Sequence, residues 1–146
     1  MHEWQDWFAD SLCCVKALMI AAVFFLGAVT MKAADTNRFF EMRTYTAHPG
    51  KLGDLNKRFR EHTNRLFVKH GMTLVGYWTP TDGPEAENTL IYILAYPSRE
   101  ARDESWKAFR ADPDWIKAST ESEKNGKIVE KVESKFLTPT DYSPIK

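Results

Sequence analysis

Cysteine is almost missing from this chain, and the two that occur, Cys13 and Cys14, stand side by side near the N-terminus. The rest of the chain therefore has no disulfide framework, no thiolate metal site and no cysteine nucleophile. Charge of one sign is missing too. Twenty Lys and Arg stand against 20 Asp and Glu, so the basic footprint that nucleic acid requires is absent and that partner class is excluded. There is no G-x-S-x-G nucleophile turn, no phosphate loop and no dinucleotide fingerprint, which removes the commonest hydrolase and nucleotide-dependent chemistries. Internal repeats and low-complexity tracts are also lacking.

Long apolar runs are scarce, with one exception. Ala17 to Met31 carries no charge and a single polar residue, Thr30, between Lys16 and Lys32. Its 15 residues fall short of the roughly 20 that cross a bilayer as a helix. They suit the apolar core of a secretory signal, with small residues at Ala33 and Ala34 for cleavage. Glu3, Asp6 and Asp10 make the preceding segment acidic, and Lys32 stands where a small residue is expected, so two alternatives stay open: a start at Met19, or an uncleaved anchor. The expected organisation is residues 1–34 as signal peptide or membrane anchor and residues 35–146 as one exported domain, periplasmic or secreted. Membrane contact is expected only through the leader.

Within the domain, Phe39 to Thr46 alternates with a period of two, so Phe39, Glu41, Arg43 and Tyr45 share one face of a strand. Pro49-Gly50 turns the chain into a helix over about 51–70, striped by Leu52, Leu55, Phe59 and Leu66, with His62 inside the stripe. Asp54 with Arg58, and Glu61 with Arg65, are acid-first i,i+4 pairs expected on its exposed side. A second strand covers 73–79, with Leu74, Gly76 and Trp78 on one face and Val75 and Tyr77 on the other. A third, over 89–96, is apolar on both faces, as befits the middle of a covered sheet. Ser98 is the expected N-cap of a helix to about Ala111, and Asp112-Pro113 restarts a helix toward Trp115. A charged edge strand over 128–137 and an irregular tail complete the chain.

The order β-α-β-β-α-β predicts an α+β, ferredoxin-like fold with a four-stranded antiparallel sheet covered by helices on one face. Strands two and three would then leave bulky apolar groups on the uncovered face, more than a soluble monomer usually exposes. Two copies meeting sheet to sheet as a dimeric α/β barrel would cover them, so a homodimer is expected.

Four stretches in order resemble the NIPSNAP family: Glu41-Met42-Arg43-Thr44-Tyr45 with Pro49-Gly50-Lys51; Leu74-Val75-Gly76-Tyr77-Trp78; Ala111-Asp112-Pro113-Asp114-Trp115; and Leu137-Thr138-Pro139-Thr140-Asp141-Tyr142-Ser143-Pro144. The resemblance implies a dimeric α/β barrel, akin in shape to small monooxygenases, haem-dependent chlorite dismutases and stress-responsive barrel proteins. It implies no established reaction. The protein–protein roles linked to mitochondrial relatives do not transfer to a chain whose leader looks like a bacterial secretory signal.

Candidate ligand-binding residues are Glu41, Arg43, Tyr45, His62, Trp78, Tyr92 and Trp106. Glu41 and Arg43 would either grip a polar ligand or form a structural ion pair on the face turned away from the helices, toward the partner subunit. The aromatics would line a pocket for a flat apolar molecule or pack as core. His62 would be a general base or, as the single route to a cofactor, a haem ligand. His70 lies eight residues on, at an angular offset of about 80° on a helix, so the two do not form a ligand pair. No cofactor or metal is expected. Two functions follow: a binding or interaction module with a small aromatic-lined cavity, for a small apolar or aromatic ligand or a protein partner, or a cofactor-independent monooxygenase- or isomerase-like enzyme using His62.

Overall fold

The computed structural model describes residues 38–146, and the expected leader lies outside them. Strand β1 (Phe39–Ala47) leads through a corner at Pro49-Gly50, where Gly50 takes φ +73°. A single helical rod follows in three parts: α1 (Leu52–Arg58), a π-helical turn (Phe59–Thr63) and α2 (Asn64–Lys69). Next come β2 (Thr73–Trp78), a 3-10 turn (Pro84–Glu87), β3 (Thr89–Tyr96), α3 (Arg99–Ala111), α4 (Pro113–Ser122) and β4 (Val129–Leu137). The strands are ordered β2-β3-β1-β4 and every neighbouring pair is antiparallel. This is the expected ferredoxin-like α+β fold, with β3 and β1 central and β4 at an edge.

Both expected helix starts are built as capped. Ser98 Oγ accepts from the Ala101 amide at 3.2 Å. Asp112 Oδ1 accepts from the Asp114 amide at 2.8 Å, with Pro113 in the first helical position, where a missing N–H costs nothing.

Two local irregularities re-aim side chains. The π-helical turn holds one residue more than an α-turn would, so everything after it lags in angle. Leu55 and Arg58 are buried before it, Phe59 and Thr63 at its two ends, and Leu66 and Phe67 after it. Thr63 therefore takes the inward position that a uniform helix would give His62, and the Thr63 hydroxyl donates to the Arg58 carbonyl at 3.2 Å. The His62 side chain is 45% exposed, outside the apolar stripe in which the spacing had placed it.

The second irregularity is a bulge in β2. Leu74 pairs with Leu94 and Gly76 with Ile93, leaving Val75 as the extra residue. Leu74 and Tyr77 consequently share the helix-covered face, while Trp78 turns to the other, 51% exposed. Strict alternation had put Leu74 and Trp78 together.

The helix-covered face also carries Phe39, Glu41, Arg43 and Tyr45, opposite Tyr96, Leu94, Tyr92 and Leu90 of β3. The expectation that Glu41 and Arg43 point away from the helices is thus corrected. The Tyr–Leu row of β3 is the bulkier one, and it draws the odd-numbered face of β1 under the helices with it. Among the described residues no helix covers the opposite face, where Met42, Ile91 and Ile93 are half-buried and Trp78 projects.

Candidate ligand cavity and its carboxylate

Glu41, the third residue of β1, is fully buried and surrounded by donors. Arg43 Nη1 reaches Oε1 at 2.8 Å, and Arg102 of α3 donates through Nε to Oε2 at 2.9 Å and through Nη2 to Oε1 at 2.6 Å. Trp106 Nε1 and the Tyr96 hydroxyl approach Oε2 at 3.0 and 3.2 Å. Burial alone would raise this carboxyl. The fork-like pairing with Arg102 and the charge of Arg43 outweigh it and hold the group at about 2, so it stays ionised near neutral pH. Burial and the neighbouring Glu41 charge push the Tyr96 phenol upward, which keeps its hydroxyl a donor.

Arg43 continues from this carboxylate into a cavity of about 280 Å³ between the sheet and the helices. Its guanidinium lies 4.3 Å from the centre of the Trp106 ring and 5.5 Å from that of Tyr45, close enough for cation–π attraction. Tyr45, Phe59, Phe67, Trp106, Phe109 and Trp115 form the aromatic walls, with Thr63 and Ser119 as hydroxyl-bearing neighbours. Arg58 enters from the first part of the rod, with its side chain only 5% exposed. It donates to Glu123 at 3.0 Å and sits 5.5 Å from the centre of the Trp115 ring. This replaces the expected surface pair with Asp54, which bonds Lys51 instead; Arg65 likewise turns toward Asp114, at 3.8 Å, rather than to Glu61. The walls interlock edge to face: Tyr45 meets Phe59 at 5.9 Å and Tyr92 at 5.3 Å.

Of the seven residues singled out from the sequence, Arg43, Tyr45 and Trp106 line this cavity, and Glu41 anchors it from behind. Tyr92 is fully buried behind the wall, in contact with Tyr45 and Phe59. Trp78 lies on the opposite face of the sheet. His62 lines a different depression of about 270 Å³ between α1 and α4, among Asp54, Lys57, Glu61 and Glu121. That depression is polar and lacks the aromatic walls, so the cavity under the helices is the better-built site. With His62 outside it, His62 does not offer a haem ligand there. Among the described residues no cluster of His, Cys, Asp and Glu could hold a metal ion, and no helix is long and apolar enough to cross a membrane.

Arg58 and Arg102 are the charged site residues that spacing alone did not single out as candidates. Arg58 was masked by a plausible surface partner, and Arg102 lies 61 residues from its carboxylate. A usable signal existed for Arg102: it falls one helical turn before Trp106, on the packed side of α3.

The fold and the arrangement of sheet and helices define a class, that of the ferredoxin-like chains of the dimeric α/β-barrel type. Within that class the chain belongs to the NIPSNAP family, whose profile matches residues 40–144. A NIPSNAP family protein of unknown function from Agrobacterium tumefaciens str. C58 is 27% identical. The alignment covers 77% of this chain and 96% of that one, with a TM-score of 0.66. An uncharacterised NIPSNAP-like domain protein from Burkholderia xenovorans is 20% identical over 73% of this chain and 89% of its own, with a TM-score of 0.64. A monooxygenase from the gene ActVA-Orf6 of Streptomyces coelicolor, solved with the ligand Nanaomycin D, is 15% identical. It covers 76% of this chain and 95% of its own at a TM-score of 0.53, a likeness of fold alone. Among curated proteins, none matches the chain.

Proposed function

We propose that this NIPSNAP protein is an exported homodimeric binding module whose cavity under the helices holds a small ring-bearing molecule. The observation that carries the proposal is the cavity of about 280 Å³ walled by six aromatic side chains. Pockets of roughly 300 Å³ and upward with mainly apolar walls and a few placed polar groups are the usual form of small-molecule sites. A ligand-observed NMR titration of the full chain with 1-naphthylmethanol, an uncharged two-ring probe, tests it. Saturable binding that Ser119→Trp abolishes without unfolding the protein is the expected result. Equal binding by that plugged variant would place the probe elsewhere and refute the cavity.

The dimer is supported by Met42, Ile91, Ile93 and Trp78 on the open sheet face, which a second copy would cover. Sedimentation at micromolar concentration should give twice the subunit mass; a folded monomer would remove this part. Export rests on Ala17 to Met31. Expression in a bacterium should put the protein outside the cytoplasm or on the membrane, and soluble full-length protein in the cytoplasm would refute it. The enzyme reading loses its base, since His62 lies outside the cavity.

A further inference from the structure

Hydrogen-bond donors exceed acceptors around this cavity. Arg43 Nε and Arg58 Nε, on two residues that line it, are buried with no acceptor. An arginine nitrogen can only donate. Native interiors pair nearly all such groups, and two orphaned guanidinium nitrogens at one cavity ask for what would complete them. Here the missing partner is an acceptor.

The charge balance agrees. Arg43, Arg58 and Arg110 line the cavity, while Glu123 is the one acidic residue among its lining residues. Glu41 compensates Arg43 from behind and is shared with Arg102, which Asp103 also pairs at 2.8 Å, so the lining keeps a surplus of one positive charge. Arg58 has a single acidic partner, Glu123, whose side chain is 36% exposed and therefore partly solvated. A neutral ring would bury against the aromatic walls and leave this surplus of positive charge and donors unanswered. A planar acid would answer both at once, with its ring between Trp106, Phe109 and Trp115 and its anionic end toward the guanidinium groups.

We infer that the ligand is an aromatic or conjugated carboxylic acid, bound as the anion, with Arg43 and Arg58 as its charge partners. This rests on the cavity reading above and adds the sign of the ligand's charge. Inorganic anions do not fit as well, because six aromatic rings would gain nothing from them.

Binding of 1-naphthoate and of 1-naphthylmethanol to the full chain, by the same NMR titration, tests the inference. The acid should bind at least about ten-fold more tightly, the scale of one added charge-assisted contact. Arg58→Gln should weaken the acid about ten-fold while changing the alcohol less than two-fold. Equal affinity for acid and alcohol would overturn the inference and leave the cavity reading standing. Binding of neither would overturn both. The comparison of the two probes on unaltered protein decides the matter even where Arg58→Gln does not fold. Benzenesulfonate and sodium phosphate form the control arm, and phosphate matching the naphthoate would show an anion site that does not need the ring, which also overturns the inference.

Discussion

Glu41→Gln is the most informative single substitution in this protein. It keeps the shape of the side chain and removes its charge, while placing an amide NH2 among groups that already donate: Arg43, Arg102, Trp106 and the Tyr96 hydroxyl. The lowering of the carboxyl from 4.5 to about 2 corresponds to about 3 kcal/mol of stabilisation. That agrees with the roughly 3–5 kcal/mol expected when one member of a buried ion pair is removed. Because the folded value is depressed, the stabilisation is fully present above 4.5 and is lost as pH falls toward 2. Urea unfolding followed by circular dichroism should therefore separate wild type from Glu41→Gln by about 3 kcal/mol at pH 7 and by about 1.5 kcal/mol at pH 3. Replacing Arg43 as well should restore little, because Arg102, which bonds the native carboxylate through two nitrogens, would still face an amide in its place. A difference that does not change with pH, or one below about 0.5 kcal/mol, would mean that the carboxylate is not held as described.

Three further outcomes are expected. His62→Ala should change stability by less than about 0.5 kcal/mol and leave probe binding unaltered, because that side chain is half-exposed and outside the cavity; a ten-fold loss of binding would contradict this placement. Gly76→Ala would set a Cβ 2.6 Å from the Trp78 ring, so the indole must swing off the sheet, and sedimentation should show a weaker dimer than wild type; an unchanged dissociation constant would argue against that face as the interface. Asp112→Ala removes the N-cap of α4 together with the contacts to Lys69 and His70, both at 2.7 Å, and should lower Tm by roughly 5 °C in a calorimetric scan; no change would deny the cap a stabilising role.

Much of the fold was legible because its punctuation is chemical and local. Pro49-Gly50, Ser98 and Asp112-Pro113 each announce one geometry, and each is found there. The fold followed from the order of strands and helices, and the central place of β3 from its two-sided apolar character. What resisted reading was phase. A period of two, or of 3.6, holds only while no residue is added, and both the bulge at Val75 and the π-helical turn add one without altering composition. Trp78 and His62 were assigned their sides by counting through those insertions. Glu41 and Arg43 were rightly seen as a pair, yet which face of the sheet the helices take is fixed by packing volume in β3, and charge gives no hint of it. The fold thus rests on signals within a few residues, whereas the site joins β1, α1, α3 and α4 across the whole domain.

The wide turn at Phe59–Thr63 leaves the rod with one residue of slack. Deleting a residue there would let the backbone close into an ordinary α-helix with no break. Everything beyond would then swing by about 100°, carrying Leu66 and Phe67 out of the core. The surplus is therefore held in place by what lies after it. Sliding it one position along the rod, with both ends anchored, would exchange the side chains that look inward while leaving the sheet untouched. Moving the joint would in this way retailor the wall of the cavity from within the rod alone.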